Sequence, residues 1–508
     1  MIAGNGSGGS QYRGAAPAAT IRSYGSSYFT SLVARDAAVL DITNSSYSVG
    51  SPNGWDNANW TLQGATTAKQ YSSWNYNNGT TYYRDKNAID YEFGQYSSTS
   101  RSTDAVLFDN PDVLSFFSAG NTRGNLYSDY QGDKKYVARF SPGFVPVNGT
   151  RVLSRTDRDT GTVTDLSSQN YWLVSTADYV NPTANGYDTV SHVSATKNTI
   201  VVGATVFTDN DSNAKSINST IQTSFSNYGP TDDGRLGVML MAQGNALRAA
   251  TPDTISSYTQ STSGTSFSSP SAAGTAALIL ELWRQKGQNP NSAMQKAALI
   301  HTATDIAGGG QYGPDYRTGY GLINGKTAAA FVSNATQADV SKRTMHAIQA
   351  NIKNGQELTY TFQASSADVW ATLVWTDPEG VAHSGSQYVN DRDYRALVND
   401  LDLWITDANG NVYFPWTLDP NNPNAAAVKT QRNDVDNIEQ VMINTGLFAI
   451  GSLFTVHVGL DGILSGVGSL GQAYSLAVTG GTIAIPEPAI LAVVAMLAGG
   501  VLRRRRVA

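Results

Sequence analysis

The chain has 508 residues, no cysteine, and 34 basic against 40 acidic side chains, for a net charge of −6. Without cysteine there is no disulfide framework, thiol nucleophile or thiolate metal site, and the mild negative charge argues against a nucleic-acid partner, which wants a basic face. Charged residues are 15% of the chain against roughly 25% in an average globular protein; Ser, Thr, Asn, Gly and 26 Tyr take their place, the texture of an extracellular β-rich protein, and the length predicts two or three domains.

In chain order, the amino-terminal Met1-Ile-Ala-Gly-Asn-Gly has neither the charged nor the apolar region of an export signal. Short apolar runs at 39–43, 113–117 and 199–203, bounded by turn residues, read as strands buried on both faces of a parallel sheet. Segments 48–110 and 122–193 interrupt the pattern and read as surface insertions at the sheet edge, where loops carry specificity. Residues 272–283 form an Ala/Leu/Ile helix with small residues on several faces, and a second helix over 292–306 is broken by Gly308-Gly-Gly. This alternation predicts an α/β domain with a parallel sheet over 1–340. From 345 the texture changes: Leu358-Thr-Tyr-Thr-Phe, Val369-Trp-Ala-Thr-Leu-Val-Trp, Leu401-Asp-Leu-Trp-Ile and Phe454-Thr-Val-His-Val alternate apolar with polar, and Asp407-Ala-Asn-Gly-Asn is a hairpin turn. An all-β sandwich of roughly eight strands is expected over 345–482. Residues 483–508 belong to neither domain.

The sharpest local signal is Gly264-Thr265-Ser266-Phe267-Ser268-Ser269-Pro270, running into the small-residue helix. A helix amino terminus presents unpaired N–H groups and partial positive charge, so an oxyanion formed at Ser266 would lie against it. Gly264 lets a substrate backbone approach, and Pro270 is expected in the first turn, where its missing N–H costs little. Alone, such a serine reads as a helix cap. The stretch, however, resembles the serine signature of the subtilisin-like serine proteases (subtilases, peptidase S8), which implies that Ser266 is the nucleophile.

Three more segments match in order: Phe117-Ser-Ala-Gly-Asn121, Ala195-Thr-Lys-Asn-Thr-Ile-Val-Val-Gly-Ala and Phe225-Ser-Asn-Tyr-Gly-Pro. The resemblance implies that Asn121 turns its amide toward the developing negative charge. It also implies an extended polypeptide substrate paired beside Asn44-Ser-Ser-Tyr47 and the run before Asn121. Ser46, Tyr47, Gly120, Gly264 and Thr265 are therefore the candidate substrate-binding residues. The run Leu236-Gly-Val-Met-Leu-Met-Ala-Gln-Gly departs from the family pattern.

A serine hydroxyl needs a base, which in this family is a histidine oriented by an aspartate, in the order Asp, His, Ser. Of His192, His301, His346, His383 and His457, only His192 precedes Ser266, and it lies in an insertion. The start, with Tyr12-Arg-Gly-Ala-Ala-Pro, resembles the family sequence just after its His-Gly-Thr helix. The histidine is thus expected about seven residues before Met1, roughly two helical turns away. On this reading Met1 is an internal start, the chain as given cannot complete the triad, and its sheet lacks a central strand, leaving an unpaired edge.

Leu373-Val-Trp-Thr-Asp-Pro, Ala396-Leu-Val-Asn-Asp-Leu-Asp-Leu and Asp434-Val-Asp-Asn-Ile-Glu-Gln-Val resemble the jelly-roll-like β-sandwich that follows the catalytic domain in one subtilase branch. No cofactor is required. Asp377, Asp400, Asp402, Asp434 and Asp436 allow a structural calcium ion only if they converge. Asp209-Asn-Asp211-Ser-Asn213 has the first positions of an EF-hand loop but Ala214 in place of its glycine. At the end, Ile485-Pro-Glu-Pro488, the apolar run 489–502 and four arginines, Arg503 to Arg506, resemble PEP-CTERM sorting signals, read by exosortase enzymes. The apolar run is short of the roughly 20 residues of a stable span. The resemblance implies export, transient membrane anchoring, and release or display at the cell surface of a Gram-negative-type bacterium, with a plain tail anchor as the alternative. The rival to the serine endopeptidase is a non-catalytic binding or matrix protein on a decayed protease scaffold; retention of Ser266 and Asn121 favours the enzyme.

Overall fold

The computed structural model describes residues 2–3, 13–25, 29–46, 58–65, 72–73, 94–121, 123, 135–139, 145, 149–157, 161–175, 187–207, 220–249, 261–306, 313–383, 395–443, 446 and 448–483. Tyr47, the segment 209–213 and the sorting-signal stretch 485–506 lie outside them.

A parallel sheet organises the first part of the chain. Its strands are β1 (Ile42–Ser45), β4 (Leu114–Ser118), β9 (Ile200–Phe207) and β11 (Leu240–Gln243), with β10 (Thr220–Gln222) antiparallel to β9. All five residues of β4 and the first six of β9 are buried, as continuous apolar runs covered on both faces must be. Helix α1 (Phe29–Asp36) precedes β1. Helices α3 (Thr265–Gln285), α4 (Ser292–His301) and α5 (Gly325–Ala335) share one core with the sheet, including Phe116, Val202, Leu240, Ala276, Trp283, Ala297 and Phe331. Among the described residues β1 pairs on one side only, with β4.

The two segments read as insertions differ from that expectation at their ends. Helix α2 (Ser98–Asp109) lies inside the first, capped by Ser97, whose hydroxyl accepts the Ser100 N–H. It buries Ser100, Thr103, Asp104, Val106 and Leu107. In the second, Tyr187, Val190 and Val193 are buried in the domain. Between these ends the two segments build one sheet together. Strands β2 (Ala58–Leu62) and β3 (Ser72–Ser73) come from the first, and β5 (Lys135–Arg139), β6 (Thr150–Asp157), β7 (Val163–Asp165) and β8 (Tyr171–Ser175) from the second, in the order β2-β6-β8-β5-β3 with β7 on β6. Val152, Leu166, Tyr171 and Leu173 form its small core.

The last part is antiparallel. One sheet orders β12 (Met345–Ile352), β19 (Gln472–Thr479), β14 (Val369–Val374) and β17 (Ile438–Ile443) as β12-β19-β14-β17. The other orders β16 (Val412–Tyr413), β15 (Asp400–Asp407), β18 (Leu453–Asp461), β13 (Leu358–Ala364) and β20 (Gly481–Ile483) as β16-β15-β18-β13-β20. Residues of both meet in one apolar core around Tyr360, Phe362, Trp375, Leu403, Val441, Phe454 and Leu476. The first sheet is buried on its other face too, since Val374, Ile438 and Ala477 belong to the core of the helical layer.

The seam between the parts is polar as well as apolar. Lys197 and Asp377, both fully buried, form an ion pair across it. The same ammonium donates to Pro378 O at 2.5 Å and Ala396 O at 2.6 Å, which uses all three of its protons. Asn198 exchanges two bonds with the Asp377 backbone, and Ala396 N–H donates to Asp233 Oδ2 at 2.9 Å. Behind them Lys296 donates to Lys197 O and Thr199 O, at 2.8 and 3.1 Å.

Candidate active site

Two corrections concern the helix that carries Ser266 and the one after it. The first begins at Thr265, with Gly264 as its cap at φ +149°, a conformation that side-chain-bearing residues rarely adopt. Pro270 is therefore its sixth residue rather than part of the first turn, and without an N–H it leaves the Ser266 carbonyl lacking its usual helical donor. The second helix ends at His301, short of the expected 306.

At the mouth of α3, Asn121 and Ser266 are brought together. β4 delivers Asn121 through Ala119 and Gly120, and Gly120 sits at φ +106° with the Asn227 side chain pressed where a Cβ would be. The Gly120 N–H donates to Thr265 Oγ1 at 3.1 Å, and Gly120 O accepts the Asn227 N–H at 3.1 Å. Asn121 Oδ1 accepts two donors from Thr265, its N–H at 2.7 Å and its hydroxyl at 2.9 Å. With the amide oxygen held in this way, the amide NH2 is the end left for another acceptor. The Ser266 N–H also takes no acceptor among the described residues. Among the described residues, neither the Asn121 NH2 nor the Ser266 N–H is bonded at this helix mouth.

The Ser266 side chain is half-buried, and its hydroxyl donates to Ser46 O at 3.3 Å. Ser46 is held in turn by Asn44, whose Nδ2 donates to Ser46 Oγ at 3.0 Å while its Oδ1 accepts from Ser269 Oγ at 2.7 Å. Asn44 therefore ties the end of β1 to the helix that carries Ser266. Gly264 and Gly120 are both buried. Thr265 differs from its expected role: it is 0% exposed and its hydroxyl is spent on Gly120 and Asn121, so it holds Asn121 rather than touching substrate.

Asn227 has no counterpart among the sequence candidates. Its Oδ1 accepts the Arg123 N–H at 2.9 Å and its Nδ2 donates to Thr189 O at 2.6 Å, so it spans the Asn121 loop. Arg123 anchors the same loop, donating to Ser226 O and Thr223 O with its guanidinium 4.1 Å from the Tyr228 ring centroid. Burial lowers the Arg123 pKa and raises that of Tyr228. The only hint in the sequence was the Ser-Asn-Tyr-Gly loop itself.

None of the histidines with described side chains bonds to Ser266. His301 is buried against Thr372 and Thr479, and burial pushes its pKa down to about 3. His346 meets Gly481 O, with its pKa down to about 4 from burial. His457 pairs with Glu357 and stacks on Trp404. His192 lies in a short 3₁₀ turn, and the His383 N–H donates to Tyr96 O.

Four of the five carboxylates named for calcium have other partners. Asp377 pairs with Lys197, Asp402 with Arg432 at 2.7 Å and Asp434 with Arg395 at 2.7 Å, while Asp436 accepts the Leu236 N–H. The Asp400 carboxyl is pushed up to about 7 by burial and by the charges of Asp402, Asp434 and Asp461. Among the described residues no three His, Asp or Glu side chains form a group able to hold a metal ion.

The subtilase family model matches residues 1–321. The chain belongs to the subtilase family. A curated relative of this subtilase, the serine protease/ABC transporter B family protein tagA of Dictyostelium discoideum, is 29% identical over 223 residues, covering 38% of the chain. The chain spans 12% of that relative's length. Among solved structures, the prenylagaramide maturation protease PagA aligns at TM-score 0.31 and 15% identity, over 62% of the chain and 70% of PagA. A mutant form of the protease domain of PatA aligns at 0.27 and 18%, over 48% of the chain and 56% of that domain. Among the described residues no helix of the subtilase is long and apolar enough to cross a membrane.

Proposed function

We propose that this subtilase is a serine endopeptidase that attacks polypeptide through an acyl-enzyme on Ser266, with the Asn121 amide and the Ser266 N–H as its oxyanion donors. The observation that carries the reading is the double hold of Thr265 on Asn121 Oδ1, which frees the NH2 beside the nucleophile. In the reaction a base would take the Ser266 proton as its oxygen bonds to the scissile carbonyl carbon. The carbonyl oxygen would gather charge between the two donors, and collapse would expel the amine with that proton. Ser46, whose carbonyl already accepts from the nucleophile, would align the substrate strand.

The base and its orienting aspartate are proposed to lie in sequence upstream of Met1. The β-rich part, a sandwich of jelly-roll type on this reading, would stabilise the catalytic part and present substrate. Export, exosortase processing at residues 485–488 and display at the cell surface complete the proposal. The test is labelling by a fluorophosphonate probe, applied to the 508-residue chain and to a product begun at an in-frame upstream start. The extended product should label, Ser266→Ala should abolish the signal, and the shorter chain should label far more slowly. If neither product labels, the proteolytic reading fails and a non-catalytic binding role takes its place.

A further inference from the structure

A cavity of about 750 Å³ opens at the junction of the helical layer and the antiparallel sheets, away from Ser266. That is within the roughly 300–1,000 Å³ of small-molecule sites. Both parts of the fold build it: Asp305 and Tyr320 come from the α/β side, and Asp368, Trp370 and Met442 from the sheet side. Among the described residues no lysine or arginine lines it.

Its charge is unbalanced. Asp305 Oδ2 accepts the Gly313 N–H at 3.1 Å, and no cationic side chain pairs with Asp305 or Asp368 among the described residues. The other titratable side chains near Asp305 do not help. Asp315 repels it, Tyr320 is neutral because burial raises its pKa far above 10, and His301 stays neutral because burial holds its pKa near 3. Burial, joined by Asp315, pushes the Asp305 carboxyl up to about 6. The rest of the wall mixes apolar and aromatic side chains, among them Phe331, Trp370 and Met442, with uncharged hydroxyl and amide ones such as Thr304, Asn324 and Gln440. A ring face and an unpaired carboxylate both attract a cation, and an apolar stem supplies burial.

We propose that this cavity binds an organic cation with an apolar stem, its charged head at Asp305 and Asp368 and its stem against Tyr320, Trp370 and Met442. A free amine and a basic side chain of another polypeptide share that chemistry. The site is independent of the proteolytic reading and is tested without activity, on the 508-residue chain. Isothermal titration with benzyltrimethylammonium, against benzyl alcohol as the neutral control, should give at least tenfold tighter binding of the cation. Asp305→Asn should weaken the cation about tenfold, and Asp368→Asn, a change at an exposed position, several-fold, each at an unchanged thermal midpoint. Affinity should fall between pH 7.5 and 5 as the Asp305 carboxyl takes up its proton. A peptide with one arginine binding tighter than benzyltrimethylammonium marks a polypeptide source, and the reverse order a free amine. No binding of either cation at millimolar concentration, equal binding of the neutral control, or full affinity in both variants overturns the proposal.

Discussion

The mouth of α3 and the seam beneath the antiparallel sheets are both built from hydrogen-bonded polar side chains, but they spend their valences differently. At the seam the Lys197 ammonium uses every proton it has, and the two Asp377 carboxylate oxygens take the Val398 and Asn399 N–H groups besides. At the mouth one end of each group is fixed and the other is left over. Asn121 is held by its oxygen with its NH2 unbonded among the described residues, and Ser266 touches Ser46 by a long bond of 3.3 Å. A saturated network fixes geometry, whereas a half-saturated one can bind an incoming group without first breaking its own bonds. The difference separates a structural polar cluster from a candidate reactive one more sharply than composition does, since both are built around asparagines, Asn198 at the seam and Asn44 and Asn121 at the mouth.

The contrast can be broken at either end. The largest effect is expected at the seam. Lys197→Met strands the Asp377 carboxylate in a dry site, and breaking a buried pair costs about 3–5 kcal/mol. Urea unfolding should show that loss, and adding Asp377→Leu should recover much of it. A single-variant cost below about 1 kcal/mol, as for an exposed pair, would mean the seam is not saturated as described. Next comes the mouth. On the product that labels, Asn121→Ala should slow fluorophosphonate labelling about 10²–10³-fold, the range established for such a donor in subtilisin itself, with little change in unfolding midpoint. A large stability loss with unchanged labelling would place Asn121 among the structural groups.

The smallest effect sharpens the seam. Lys296 is fully buried with only carbonyl partners, and burial lowers its pKa to about 7 from an ordinary 10.5. Between those values the unfolded chain holds a proton that the folded one has released. Stability should therefore rise with pH from about 7 to 10.5 through this group. Comparing urea midpoints at pH 7 and 9.5, the wild type should gain relative to Lys296→Met; parallel pH profiles would assign the trend to other groups.

Much of this was legible in the residues. Alternation in 358–362, 369–374, 401–405 and 454–458 gives strands because one side of each faces a shared core. The run Gly264-Thr265-Ser266 before a small-residue helix fixes the position of Ser266 in the first turn because glycine suits the cap at φ +149°. Helix α2 was hidden, since part of its buried face is Ser100, Thr103 and Asp104 rather than Leu or Ile. Asp104 stays inside because it accepts the Lys197 and Asn198 N–H groups and the Tyr96 hydroxyl, partners distant in sequence. The same holds for Asn227 and for the Asn44–Ser269 bond: each is an ordinary polar residue until folding brings its partner within reach. Helix α3 starts earlier than its composition suggests, because Phe267 and the serines around it do not look helical, yet the glycine cap launches the helix before the alanines begin.

The sheet made jointly by the two excursions has a mechanical side. β2 leaves the chain before α2 and β4, and β6 leaves it after Asn121, yet the two pair antiparallel from Ala58 with Asp157 to Leu62 with Val152, with a register shift between Thr61 and Leu62. The intervening stretch, 63–149, is thereby clasped at both ends, and the loop bearing Asn121 lies within the clasp. Shortening either excursion alone would leave the other with an open strand. The two can lengthen or shrink only as a pair, and whatever docks on that sheet pulls on both ends of the stretch that carries the amide.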